Sequence, residues 1–155
     1  MKITRVTLNN RRRGFEVSAG RRTYIFPYAK LKLRPAPGNK VRRVYVDREL
    51  GREAFTYVLE SGEEGTVHLD AVLDYNRDPA YLRDLLLYKL TLEARSRVRQ
   101  SRLSRRELIR RLGTSPAQFY RLLDQTDSKK SVDQLLALLR VLDCDVDLVV
   151  RDRAA

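Results

Sequence analysis

Residues 103–142 read LSRRELIRRLGTSPAQFYRLLDQTDSKKSVDQLLALLRVL, and this stretch decides the fold of the second half of the chain. It contains three capping boxes, at residues 104–107, 115–118 and 131–134, in which a serine precedes Glu or Gln by three positions. In such a box the serine accepts a hydrogen bond from the third residue's backbone N–H, and the Glu or Gln side chain reaches back. Each box opens an apolar periodic stretch, so the pattern predicts three helix starts.

A tight turn is predicted between the first two of these helices. Gly113 follows Leu112 as a helix-ending glycine, so only residues 113–115 separate the helices. Two short helices joined in this way form a helix-turn-helix. A small core is expected from Leu108, Leu112, Phe119, Leu122, Leu135, Leu136, Leu138, Leu139 and Leu142.

The combined spacing resembles the λ-repressor-like helix-turn-helix of the Xre/Cro family over about residues 90–150. The matching positions are Leu103, Ser104, Glu107, Leu108, Leu112, Gly113, Thr114, Ser115, Phe119, Leu122, Leu123 and the leucine-rich stretch 135–142. There are three departures. Ile109 stands where the family usually has alanine, Arg106 stands where it often has glutamine, and residues 124–130 replace a small glycine turn. The resemblance implies an all-α DNA-binding domain.

The resemblance also implies that residues 116–123 form a recognition helix that lies in the major groove of DNA. Its outward side chains are expected to be Ala117, Gln118, Tyr120 and Arg121. A glutamine can pair with adenine, an arginine with guanine, and an alanine can contact a thymine methyl group. This helix is therefore the expected site of base recognition.

Phosphate contacts are expected around this helix. Backbone N–H groups at a helix N-terminus favour phosphate, and basic side chains beside the groove add to the attraction. The residues expected at the two helix N-termini are Ser104, Arg105, Arg106 and Ser115, and those expected to flank the groove are Lys129 and Lys130.

A longer helix is predicted at residues 79–100, upstream of the capping boxes. Asp78 is a suitable N-cap and Pro79 a suitable first helical residue. Its first three turns are apolar around most of the circumference, which a surface helix does not require. We expect this linking helix to pack between the two halves or against a second copy. The two apolar stripes are Tyr81, Leu85, Tyr88 and Leu92, and Leu82, Leu86 and Leu90.

The first half of the chain has the alternation of β-strands. Strands are predicted at residues 3–8, 14–18, 22–26, 41–47, 54–60 and 65–69, in a small antiparallel sheet or partly open barrel. The fold class is therefore α+β, with a β domain at residues 1–76 and the helical domain at 77–155. The apolar stretch at residues 145–150 is expected to form a further strand, in the N-terminal sheet or across a dimer.

Composition favours a polyanionic partner. The 155 residues carry 32 basic and 20 acidic side chains, a net charge of +12, and arginine predominates among the basic residues. A balance this basic is typical of proteins that bind nucleic acid or anionic surfaces. No apolar stretch is long enough to span a bilayer and the first residues contain no secretory signal, so we expect a cytoplasmic, nucleoid-associated protein.

The sequence contains little that points to catalysis. The single cysteine, Cys144, and the single histidine, His68, lie in different halves, and no phosphate-binding loop or metalloprotease motif is present. We therefore expect no enzyme, no cofactor and no metal site. The expected partner is duplex DNA, bound by a homodimer that acts as a bacterial transcriptional regulator.

Two other functions remain open from the sequence. The chain could be an antitoxin, or another interaction module, whose first half and linking helix bind a protein partner such as a toxin. It could also bind RNA by stacking bases on the β half, as sheet-based RNA binders do. The residues concerned are Arg21, Arg22, Tyr24, Phe26, Tyr28, Arg42, Arg43 and Tyr45, although sheet core is the favoured role of the aromatic ones.

Overall fold

Six β-strands form the first part of the chain and five α-helices the second, so the protein is α+β, as predicted. The structure is a computed structural model that describes residues 1–154. The chain divides into two compact units, Met1–Leu82 and a second that begins at Arg83. The boundary between the units falls inside the linking helix.

The first three strands form an antiparallel sheet in the order β1 (Ile3–Asn9), β2 (Gly14–Ala19) and β3 (Arg22–Pro27). The tight connection between β2 and β3 contains Gly20, whose φ of 60° is one that glycine adopts without strain. A short 3-10 turn, Tyr28–Lys30, follows β3. These strands begin where the period-two alternation predicts them.

The other three strands form a second antiparallel sheet in the order β4 (Val41–Val46), β5 (Ala54–Leu59) and β6 (Glu64–His68). The prediction of a single sheet is therefore wrong. The chain between the sheets contains Pro35 and Pro37, and proline has no N–H to donate to a ladder. The two sheets instead meet through their side chains and at Ile3 of β1, whose N–H donates to the Arg52 carbonyl oxygen at 2.8 Å.

The core of the first unit is built around Phe15 of β2. Its ring centroid lies 4.9 Å from those of Tyr28 and Phe55 and 5.5 Å from that of Tyr57. These contacts join the first sheet to β5, whose six residues are all buried. The two sheets therefore share one aromatic core.

Helix α1 (Leu69–Asn76) follows β6 directly and was not predicted. It buries Leu69, Val72 and Leu73, and the Asn76 amide donates to the carbonyl oxygen of Ile25 at 2.9 Å. Its eight residues are fewer than a periodicity window requires, and its N-cap makes no side-chain hydrogen bond. Both usual signals of a helix were therefore missing.

The second helix, α2 (Pro79–Gln100), has the predicted bounds. Asp78 accepts a hydrogen bond from the Tyr81 N–H at 3.0 Å, as an N-cap does, and a second from the Tyr24 hydroxyl at 2.9 Å. The buried carboxylate thus fastens the start of α2 to β3 within the first unit.

The predicted apolar stripes of α2 do not form its buried face. The buried residues are Leu87, Thr91, Ala94 and Val98, and the Thr91 hydroxyl is satisfied by the Leu87 carbonyl at 2.7 Å. Small side chains at 91 and 94 allow close packing, which a count of large apolar residues misses. Three large residues of the predicted stripes, Leu86, Tyr88 and Leu92, are exposed instead.

The remaining helices are α3 (Arg105–Leu112), α4 (Pro116–Leu122) and α5 (Val132–Val141). Each begins after one of the three predicted serines. Leu136 was expected in their core but is exposed on α5, because the buried positions of that helix are Leu135, Leu138 and Leu139.

The strand expected at residues 145–150 is absent from the described part of the chain. Residues 144–154 have no regular secondary structure, and Val146, Leu148, Val149 and Val150 are exposed. A strand needs a partner for its backbone groups, and the helical unit contains no sheet. Among the described residues, none of the helices combines the length and apolarity needed to cross a membrane.

Candidate nucleic-acid interface

A three-residue turn joins α3 to α4, as the sequence predicts. Gly113 has a φ of 71°, and its N–H donates to the carbonyl oxygens of Ile109 at 3.0 Å and Arg110 at 3.2 Å. This left-handed residue satisfies carbonyls at the end of α3 and turns the chain toward Ser115. The two helices therefore form a helix-turn-helix.

Serine hydroxyls cap the three helices. Ser104, Ser115 and Ser131 each accept the N–H of the residue three positions later, at 3.1, 3.2 and 3.1 Å. The reciprocal half of the capping box is not formed among the described residues. The Glu107 carboxylate, which was expected to reach back, binds Arg110 and Arg111 instead.

The orientation of α4 is fixed by its buried face. Phe119 and Leu122 are buried against Leu108 of α3 and the leucines of α5. Since one face of the helix is held inside, the other face must point outward. The exposed residues of α4 are Pro116 and the four predicted for base recognition, Ala117, Gln118, Tyr120 and Arg121.

The N-terminus of α3 lies beside this exposed face. The Arg105 guanidinium carbon is 5.7 Å from the centroid of the Tyr120 ring, within the range of a cation–π contact. Ser104, Arg106 and Ser115 are exposed as well. The fold thus brings predicted phosphate contacts next to predicted base contacts.

Arg121 has an acidic partner that sequence reasoning missed. Its Nε lies 2.7 Å from Oδ2 of Asp127, while the side chain remains 48% exposed. The Arg121 hydrogen bond and the Lys129 N–H hold the pKa of Asp127 below its usual value. The signal in the sequence was an aspartate close to the end of the helix predicted for base recognition, in the segment that departs from the Xre pattern.

The prediction that Lys130 contacts phosphate is wrong. Its side chain is only 6% exposed, and its Nζ donates to the carbonyl oxygen of Leu122 at 3.1 Å and to that of Asp124. Burial lowers the pKa of this lysine. The group caps the C-terminal end of α4, where a cation is favoured. Lys129 is exposed and stays available to a phosphate.

Two arginines of the basic stretch are already paired. Hydrogen bonds from Arg110, which has the larger effect, and from Arg111 lower the pKa of Glu107 to about 2. All three residues belong to α3, at spacings of three and four. The charge that α3 offers to an anion is therefore concentrated at its first turn, in Arg105 and Arg106.

A second group of arginines lines an open cleft of about 740 Å³ in the helical unit. Arg97, Arg111 and Arg140 on its wall belong to the last turns of α2, α3 and α5. Positive side chains at helix C-termini offset the partial charge of the free carbonyls. We assign these arginines a structural role.

The aromatic residues considered for RNA stacking are mostly internal. Tyr24, Phe26 and Tyr28 are buried in the core of the first unit, as favoured from the sequence. Tyr45 is exposed, with the Arg43 guanidinium 5.3 Å from its ring centroid. A base-stacking face on the strands is therefore reduced to one ring.

The two residues considered for catalysis lie in different units. His68 is exposed at the end of β6, and the half-buried Cys144 follows α5, where its thiol lies 3.5 Å from the Leu142 carbonyl oxygen. Within residues 1–154, no three His, Cys, Asp or Glu side chains come together in a way that could hold a metal ion.

No protein family, no curated protein and no solved structure matches this chain.

Proposed function

We propose that the helical unit binds duplex DNA sequence-specifically, with α4 in the major groove, and that the protein is a transcriptional regulator of the Xre type. One observation carries the proposal. The α4 helix is anchored by Phe119 and Leu122 on one face and exposes Gln118 and Arg121 on the other. Glutamine and arginine are the side chains that pair bidentately with adenine and guanine.

The size of α4 fits this role. An α-helix with its side chains is about 10–12 Å across, and the major groove, about 12 Å wide, admits it. The seven residues of α4 extend over about 10 Å along the helix axis. Tyr120 and Ala117 would lie against the groove wall or a thymine methyl group. Arg105, Arg106 and Lys129 would contact phosphates on either side, where they fix the register of the helix without reading sequence.

A single helix-turn-helix offers DNA a small surface, so the proposal includes a homodimer on paired half-sites. Leu86, Tyr88 and Leu92 of α2 are exposed, and they favour such self-association because burial of apolar surface lowers the free energy.

The salt dependence of binding tests the proposal. Fluorescence anisotropy of a labelled duplex between about 50 and 200 mM salt should give a log–log slope of roughly −4 to −5 per domain, as expected for about four to six neutralised phosphates. Unlabelled duplex should compete better than single-stranded RNA of equal length. A flat salt response would remove the proposal, and better competition by the RNA would favour an RNA-binding protein.

The exposed apolar residues of α2 also support a second candidate, an antitoxin-like protein that binds a different protein through one of them, Leu86. Leu86 is 62% exposed, which is unusual for a leucine with apolar neighbours on the same helix. Sedimentation of the purified protein separates the candidates. A dimer that Leu86→Asp converts to a monomer supports the regulator, and a wild-type monomer supports the antitoxin-like protein.

A further inference from the structure

The segment between α4 and α5 is an ordered turn built from its own polar groups. Asp124 accepts two hydrogen bonds from Thr126, at 2.9 Å from the backbone N–H and 2.7 Å from the hydroxyl. The buried ammonium of Lys130 ties the turn to the end of α4 through the carbonyls of Leu122 and Asp124. The turn therefore has a fixed position relative to the recognition helix.

Asp127 is held in place by this turn. Its Oδ1 accepts the Lys129 N–H at 2.8 Å, and its own N–H donates to the Asp124 carbonyl at 3.3 Å. The side chain is 21% exposed, and its second oxygen, Oδ2, is directed to Arg121. A carboxylate restrained in this way can orient the longer side chain that it binds.

The contact with Asp127 uses only one edge of the Arg121 guanidinium. Nε donates to Asp127 at 2.7 Å, and neither terminal nitrogen has a hydrogen-bond partner within the described residues. The two terminal nitrogens form a pair of donors that matches the O6 and N7 acceptors of guanine. The edge required for bidentate recognition is the edge left free.

We propose that Asp127 is a positioning residue that orients Arg121 to read one guanine, an inference that rests on the proposed DNA binding. A free arginine side chain loses considerable rotamer entropy when it is fixed against a base. Because the ion pair already restrains Arg121 in the free protein, less rotamer entropy is lost when DNA is bound. Asp127 makes no contact with the base and acts on specificity only through Arg121.

The same ion pair could act in the opposite way, by holding Arg121 away from DNA, and removal of Asp127 distinguishes the two effects. If Asp127 withdrew Arg121 from DNA, its removal would tighten binding and sharpen the preference for guanine. If it positions Arg121, its removal lowers the preference for guanine at one base pair. The quantity to measure is therefore the ratio of affinities for two duplexes that differ at that base pair.

The experiment uses the full chain and a duplex selected from a random pool, together with duplexes that replace each guanine in turn. For the wild type, one replacement should weaken binding by about 5- to 150-fold. Arg121→Ala identifies that position, because this variant should bind the two duplexes that differ there with equal affinity. Asp127→Ala should lower the ratio at the same position to about threefold or less, and Asp127→Asn, which keeps one acceptor oxygen, should give an intermediate ratio.

The controls separate positioning from charge and from folding. Asp133→Asn removes the charge of an exposed aspartate elsewhere in the helical unit and should leave the ratio unchanged. The double variant Arg121→Ala with Asp127→Ala should match Arg121→Ala alone. Thermal unfolding of both Asp127 variants verifies that they fold.

An unchanged or larger ratio in the folded Asp127 variants would overturn the inference while leaving DNA binding intact. A wild type that binds no duplex in preference to any other would instead remove the proposed function, and with it the basis of the inference.

Discussion

The Nζ of Lys130 lies 3.1 Å from the carbonyl oxygen of Leu122, the last residue of α4. This contact separates two adjacent lysines that look alike in the sequence. Lys129 is exposed, whereas Lys130 is buried and caps the C-terminal end of α4. The ordered turn that places Asp127 beside Arg121 depends on this buried cation.

Replacement of Lys130 should therefore affect stability. Lys130→Met leaves the Leu122 carbonyl without its donor and the Asp124 carbonyl with only the Asp127 N–H, so it should lower the free energy of unfolding by about 1–3 kcal/mol. Lys129→Met, the matched control, should change it by less than about 0.5 kcal/mol. Urea unfolding measures both values. Equal and small losses, with a shallower salt dependence of DNA binding for Lys130→Met, would make Lys130 a phosphate contact after all.

The serine cap of α4 should contribute measurably to the stability of the helical unit. Ser115→Ala removes the acceptor of the Gln118 N–H and should cost about 1 kcal/mol. Ser128 is an exposed serine of the same unit that lies outside a helix, so Ser128→Ala is the control. Urea denaturation of the two variants should differ, and indistinguishable midpoints would show that the cap contributes nothing.

The buried Asp78 should make the stability of the first unit depend on pH. Hydrogen bonds from the Tyr81 N–H and the Tyr24 hydroxyl hold the pKa of Asp78 below its ordinary value of 3.8, against the effect of burial. A carboxyl whose pKa is lowered by folding stabilises the fold above the unfolded pKa, and this contribution is lost as the pH falls through the folded pKa.

The test for Asp78 compares the wild type with Asp78→Asn. At pH 7 the free energy of unfolding of the variant should be about 1–3 kcal/mol lower, because the neutral amide is a weaker acceptor for three donors, the Tyr81 N–H, the Tyr24 hydroxyl and the Arg22 guanidinium. Below about pH 4 the difference should shrink, since the carboxyl of the unfolded chain then takes up a proton and the native carboxyl follows only at lower pH. Denaturant unfolding of both proteins at pH 7 and pH 3 measures the difference in the free energy of unfolding. A difference independent of pH would contradict the role of the ionised Asp78 in stability.

The local features of the fold were predictable from sequence. The three serine caps, the helix-ending Gly113 and the N-cap Asp78 act over three or four residues, so their partners could be read directly from the chain. The strands were predictable for a similar reason, because period-two alternation is itself local. The outward face of α4 followed once its start at Ser115 was known.

The features that were missed depend on contacts between segments. The separation of the strands into two sheets and the buried face of α2 around Ala94 are decided by packing partners distant in sequence. The burial of Lys130 has nearby partners, Leu122 and Asp124, but depends on the irregular turn that brings them together. The Arg121–Asp127 pair depends on a turn whose shape no periodic pattern encodes. Short α1 fell below the length at which a helical period is visible.

Selection of bound duplexes from a random pool tests DNA recognition by α4 most directly. The wild type should enrich one motif, repeated in two half-sites about 10 base pairs apart, as the proposed homodimer requires. Gln118→Ala and Arg121→Ala should each lose the preference at a different base pair of that motif while still binding DNA. Enrichment of no motif, or of a motif that neither substitution alters, would contradict recognition through α4.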